Sequence, residues 1–146
     1  MPQLSRDFFL VASALERARR ISGVFRLIEK VERAELAEAE ARLQQFQVVH
    51  KELLASLGSD TALSGLFVDV LANRLRSVAV SIETQKQCRD ARILALRTAN
   101  LRLSGVARML KRAETVDLLL RDTKELADLL DQMEMSKSQA PGKSSQ

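Results

Sequence analysis

The chain has 146 residues, with no Trp or Tyr, two Pro, one Cys and a net charge of +4. A composition dominated by Ala, Leu, Glu and Arg belongs to long helices and coiled coils rather than to a compact mixed fold. It excludes a disulfide framework, because Cys88 has no second cysteine, and a membrane-spanning helix, because no run reaches the ~18 apolar residues required.

The charge is unevenly placed. Residues 1–65 hold 9 basic and 9 acidic side chains, residues 66–112 hold 10 and 3, and residues 113–135 hold 2 and 7. The second half therefore divides into a basic block followed by an acidic one, with Lys137 and Lys143 in the tail. Phe8 to Leu15 is a short apolar run, preceded by Asp7 and followed by the charged stretch Glu16–Arg20. It is too short and too closely flanked by charge for a signal peptide, and the expected location is cytoplasmic.

The pattern predicts an all-α fold: a long antiparallel two-helix coiled-coil hairpin, one domain over residues 1–135. Helix one is expected over about 8–57. Ser13 and Glu16 have the spacing of a capping box, while the apolar residues before them equally allow an earlier start. Its apolar positions run Ile21, Val24/Phe25, Ile28, Val31, Leu36, Ala39, Leu43, Phe46, Leu53, Leu57. That spacing reads as a nearly straight helix with one phase slip rather than a strict heptad. Gly58 stands where a left-handed cap is expected.

A turn is expected over 58–65, with Ser59, Asp60 and Ser64 all competent to cap helix two, predicted over about 66–133. Its stripe opens at Leu71, Leu75, Val78 and Ile82. It becomes polar at Gln85, Arg89 and Arg92, then resumes at Leu96, Ala99, Leu103, Val106, Leu110 and Ala113 in heptad spacing. Folding at the turn places residue i of helix one opposite about 118–123 minus i on helix two. Helix two then outruns its partner, and Leu118 to Met133 forms an overhang. Ser136 to Gln146, a polar stretch containing Pro and Gly, is expected to be a disordered tail.

Chemistry-bearing residues are sparse. His50 falls between Phe46 and Leu53 on the apolar stripe, and Cys88 has no companion ligands, so no catalytic or metal set is expected. Gly142-Lys143-Ser144 matches only the end of a phosphate-binding loop and follows no strand. No enzymatic activity and no cofactor are expected. The basic residues of helix two are spread around the cylinder without interleaved aromatics, which makes nucleic acid an unlikely partner.

Two groups of residues carry the functional expectation. Glu32, Glu35 and Glu38 of helix one come level with Arg89 and Arg92 of helix two, and opposed charges there would set the register of the hairpin. The same polar window would alternatively be a place where a partner docks. Met109, Leu119, Leu126, Leu130 and Met133 share a narrow arc of helix two among Glu114, Asp117, Asp122, Glu125, Asp128, Asp131 and Glu134. An apolar stripe framed by acids points to partner docking or to self-association. Ser22-Gly23 and Ser104-Gly105 interrupt the helices at similar height, where they would allow a close approach or a bend.

The segment FRLIEKVERAELAEAEARL (Phe25–Leu43) resembles the opening helix of the FliJ-like coiled-coil proteins of flagellar and type III export. Length, hairpin form and a longer, charged second helix agree with that family. The residues preceding Phe25 and the acidic 113–135 block depart from its pattern. The resemblance implies a cytoplasmic, non-enzymatic coupling protein without a membrane span, though peripheral membrane association stays open. Its partners would be a hexameric export ATPase ring, the export gate and substrate chaperones. By the same analogy, the end holding both termini would enter the ring, with Arg17, Arg19, Arg20, Arg108, Lys111 and Arg112 as contacts. The alternative reading is a generic self-associating scaffold or tether.

Overall fold

The computed structural model describes residues 2–59, 64–140 and 142. They form two helices, α1 (Pro2–Gly58) and α2 (Ser64–Ser138), with no strand among the described residues. The expected all-helical hairpin class is the one observed. The chain divides into two compact units, each pairing a piece of α1 with a piece of α2. Unit 1 is Met1–Val24 with Ser104–Gln146, and unit 2 is Phe25–Leu103.

Both helices are longer than their sequences suggested. α1 starts at Pro2 instead of about residue 8. Proline suits a first helical position because its missing N–H would have no intrahelical partner there anyway. Ser13 consequently lies inside the helix rather than at a cap, and its hydroxyl accepts a bond from Arg17 at 3.5 Å. At the other end Gly58 is the last residue of α1 and has no positive φ, so it is not the left-handed cap expected. Instead the Ser59 hydroxyl donates to the Ser56 carbonyl at 2.9 Å, satisfying one of the carbonyls a helix end leaves open.

α2 begins at Ser64, inside the expected turn, and continues to Ser138. The Ser136 and Ser138 hydroxyls donate to the carbonyls of Met133 and Met135, each at 2.9 Å, and the Gln139 N–H donates to Met135 at 3.2 Å. The first residues of the expected tail are thus helix, closed by their own serines. The centre of the turn, 60–63 with the cap candidate Asp60, and tail residues 141 and 143–146 lie outside the described residues.

The buried face of α1 corrects the expected phase. Leu4, Phe8, Val11, Leu15, Ala18, Ser22, Phe25, Glu29, Glu32, Leu36, Ala39, Leu43, Phe46, His50, Leu53 and Leu57 are all buried or half-buried. They alternate in steps of four and three without a slip, the 3.5 period of a left-handed coiled coil. Ile21, Ile28 and Val31, read from the sequence as core, are instead exposed. The apparent slip came from preferring those residues to Glu29 and Glu32, which occupy the seam itself. On α2 the seam follows the expected positions from Leu71 to Ala113 and continues in the same steps through Asp117, Leu120, Lys124 and Ala127.

Within unit 2 the seam is apolar at Leu43, Val78 and Ala99 and polar between. Arg92 reaches from α2 to Glu35, and its Nη1 lies 3.8 Å from Glu32 Oε2. Unit 1 is built on Leu15, Ala18 and Ser22 of α1, with Asp117 of α2 also buried. Lys124 Nζ sits 4.9 Å from the centre of the Phe8 ring, a cation–π contact at the edge of this seam. The paired numbers sum to 132 at Phe8–Lys124 and to 127 at Glu35–Arg92. Both exceed the 118–123 expected from the turn, because interlocking seam side chains set the pairing and the turn only has to span it.

That register also shortens the overhang. Leu4 and Ser5 share a concavity with Lys124, Ala127, Asp128 and Asp131. The early start of α1 therefore covers one side of α2 to about Asp131. α2 remains the longer helix, at 75 residues against 57. Its uncovered part is its last two turns, not the stretch from Leu118.

Candidate partner-docking face

In an antiparallel pair of right-handed helices, the residue just before each seam position points to one side of the pair, on both helices alike. In unit 1, beyond Gln3 and Asp7 at the start of the same row, this rule selects Leu10, Ala14, Arg17, Ile21 and Val24 on α1. On α2 it selects Met109, Arg112, Val116, Leu119, Thr123, Leu126, Leu130 and Met133. All thirteen are exposed, and Leu119, Leu126 and Leu130 each keep just over 60% of their surface in water, at 61%, 62% and 61%. The Thr123 hydroxyl donates to the Leu119 carbonyl at 2.7 Å, so its one donor is already used within the helix. The residue just after each seam position faces the opposite side. There the same stretches carry Glu16, Arg19, Lys111, Glu114, Arg121, Glu125 and Asp128. Unit 1 is thus mainly apolar on one side and mainly charged on the other, where Phe9, Leu118 and Met135 are also exposed.

Contiguous apolar surface of this extent on a two-helix unit marks an interaction face. Leu119, Leu126, Leu130 and Met133 lie on it as part of a broader surface to which α1 contributes. Val116, Leu10, Ile21 and Val24 were not recognised from the sequence as its members. Assigning Ile21 and Val24 to the core hid them, and placing Glu29 and Glu32 on the seam would have revealed them.

The acidic frame expected around this stripe is largely elsewhere. Asp117 is buried on the seam, 5% exposed, with Arg121 Nε 3.0 Å from its Oδ2. Its Oδ1 is buried without a hydrogen bond. Glu114, Glu125 and Asp128 are on the charged side, and Asp131 and Glu134 continue the seam line. Only Asp122 borders the apolar face. A helical run of acids is carried around the cylinder by the same 100° per residue that aligns the leucines.

The basic residues separate as well. Arg17 and Arg112 stand on the apolar face, Arg20 and Arg108 at its outer borders, and Arg19 and Lys111 on the opposite side. Arg20 is paired with Glu16 at 3.0 Å. Among the described residues, no ion pair engages Arg17, Arg19, Arg108, Lys111 or Arg112. A shallow concavity of about 540 Å³ opens beside Arg108, Lys111, Arg112, Thr115 and Val116. It offers aliphatic stems and guanidinium heads together, a surface suited to an apolar side chain flanked by a carboxylate.

Of the five charges expected to set the register, the structure brings three together: Arg92 with Glu35 and Glu32. Glu38 pairs instead with Arg42 one turn along α1, and Arg89 with its neighbour Asp90 at 2.9 Å. A polar concavity of about 270 Å³ lies over this level, lined by Glu35, Glu38, Arg42, Gln85, Cys88 and Arg92. Its charges are mutually paired, which leaves less for a partner than the unpaired arginines of unit 1. His50 is half-buried on the seam and Cys88 is an exposed free thiol. Comparison with family models, with curated proteins and with solved structures gives no match for this chain.

Proposed function

We propose that this chain is a non-enzymatic coiled-coil coupling protein that docks helical segments of other proteins on the apolar side of unit 1. The carrying observation is that side itself: exposed Leu, Ile, Val and Met in heptad spacing on both helices, with Arg17 and Arg112 in their midst and, among the described residues, in no ion pair. Such a face fits helix-in-groove recognition, in which a partner helix contributes a third apolar stripe and acids for the two arginines. The resemblance of Phe25–Leu43 to FliJ-like proteins supplies the setting. In it the partners are a hexameric export ATPase, the export gate and substrate chaperones, and the location is cytoplasmic. Among the described residues no helix is long and apolar enough to cross a membrane, which accords with a soluble or peripheral role.

The test is direct. Purified chain added to a hexameric type III export ATPase should bind the ring and raise its turnover. Leu126→Asp with Leu130→Asp should remove both effects while helicity is retained, since neither side chain packs inside its own unit. Absence of binding and stimulation by the wild-type chain would remove the export assignment. Full activity in the double variant would remove this face from it.

A further inference from the structure

We propose that, when no other protein occupies it, the apolar side of unit 1 closes on a second copy of the chain in antiparallel, two-fold fashion. The inference rests on the docking reading of the same face and names an occupant for it. Steps of three and four read the same in both directions, so an antiparallel copy crossing near Arg121 brings like rows into register. Met109 then meets Met133 of the second copy, Arg112 lays its aliphatic stem against Leu130, Val116 meets Leu126, and Leu119 meets Thr123. The α1 row is symmetric about Ala12, and the register of the Phe8–Lys124 contact puts Val11, one residue away, level with Arg121. There Leu10 meets Ala14 of the second copy. Arg17, which has no ion pair of its own among the described residues, meets Asp7, the only acid in the α1 row of this face.

Charge selects this arrangement over the other two-fold solution, whose axis runs along the helices. That alternative lays α1 on α2 of the second copy at the same level, with Arg17 about one turn from Arg112. The antiparallel solution instead brings the basic end of each α2, Arg108 to Arg112, level with the acidic end of the other, Asp131 and Glu134. The Arg17–Asp7 pairing and the opposite charges at the two ends of α2 favour the second geometry. The apolar contact comes from Leu10 of α1 and from Met109, Val116, Leu119, Leu126, Leu130 and Met133 of α2, all exposed in the single chain.

The experiment is sedimentation of the full chain over a wide concentration range, with three variants. The wild-type chain should be dimeric. Leu126→Asp with Leu130→Asp should weaken the dimer by about a hundredfold or more. Arg17→Asp should weaken it and be rescued by Asp7→Arg in the same chain. In a Cys88→Ser background, Met109→Cys with Met133→Cys should form an interchain disulfide, while Met109→Cys alone should not. The two positions are ~36 Å apart along one helix, so they cannot join within a chain.

A monomer at every concentration overturns the proposal. So does a dimer indifferent to the leucine variant, or one without charge rescue and the 109–133 disulfide. A monomer that still loses ATPase binding on Leu126→Asp with Leu130→Asp would sink the dimer and leave the docking reading standing.

Discussion

Gly23 and Gly105 sit in helix interiors where glycine costs up to about 1 kcal/mol relative to alanine. Neither is needed for space, since a Cβ built at either position meets nothing within 4 Å. The close approach that would have justified them is absent. Gly23→Ala and Gly105→Ala should each raise stability by about 0.5–1 kcal/mol, read as a shift in the urea midpoint by circular dichroism. A loss of stability would show that these positions need a backbone that alanine resists. Asp117 presents the opposite case, a carboxylate on the apolar seam held by one exposed arginine. Arg121→Ala should destabilise unit 1 by about 1–3 kcal/mol, because it leaves a buried charge without its cation. Asp117→Leu should leave stability unchanged or raise it, since a well-packed apolar residue often replaces a buried ion pair without loss. If Arg121→Ala were silent, the pair would be only a surface contact.

Each helix has more than one apolar row, and the pairing must choose among them. On α1, Ile21, Ile28 and Val31 compete with Ser22, Glu29 and Glu32 for the seam, and the less apolar set lies inside. The Arg92–Glu35 and Arg92–Glu32 contacts explain how that choice is sustained. Arg92 bonds Glu35 across the pair and offsets the charge of Glu32, whose Oε2 is buried without a hydrogen bond. A one-residue rotation of α1 would break both contacts. Arg92→Leu alone should therefore destabilise the chain by about 1 kcal/mol, a modest figure because the group is half in water. Adding Glu32→Leu should recover the loss and exceed it, while relaxing the choice of seam. A thermodynamic cycle over the two substitutions would read this directly. Additive effects would show that the charges do not act together.

For the molecule as a whole, the unequal sides of unit 1 matter more than any pocket. One side is mainly apolar and the other mainly charged, so association through the first would be directional. If the second copy occupies that face, apparent stability rises with protein concentration, because only the folded chain dimerises. Other partners must then displace it, and export coupling and self-association become competing uses of the same leucines. Salt should weaken the dimer, since its geometry is chosen by the Arg17–Asp7 pairing and by the basic and acidic ends of α2.

The sequence by itself determined the fold class, the position of the break between helices, and the α2 seam from Leu71 to Ala113. All three follow from local properties, namely helix propensity, heptad spacing and side-chain chemistry. It also made Leu119, Leu126, Leu130 and Met133 legible as a stripe, since residues sharing an arc of one helix can be found by counting. Only the tertiary structure decided which of two apolar rows on α1 is buried, how far α1 covers α2, and that Arg17 and Arg112 stand on an apolar face while most of the α2 acids lie off it. Those outcomes depend on which side of each helix meets the other. That choice is made by packing and cross-helix charge together, and neither helix carries it alone.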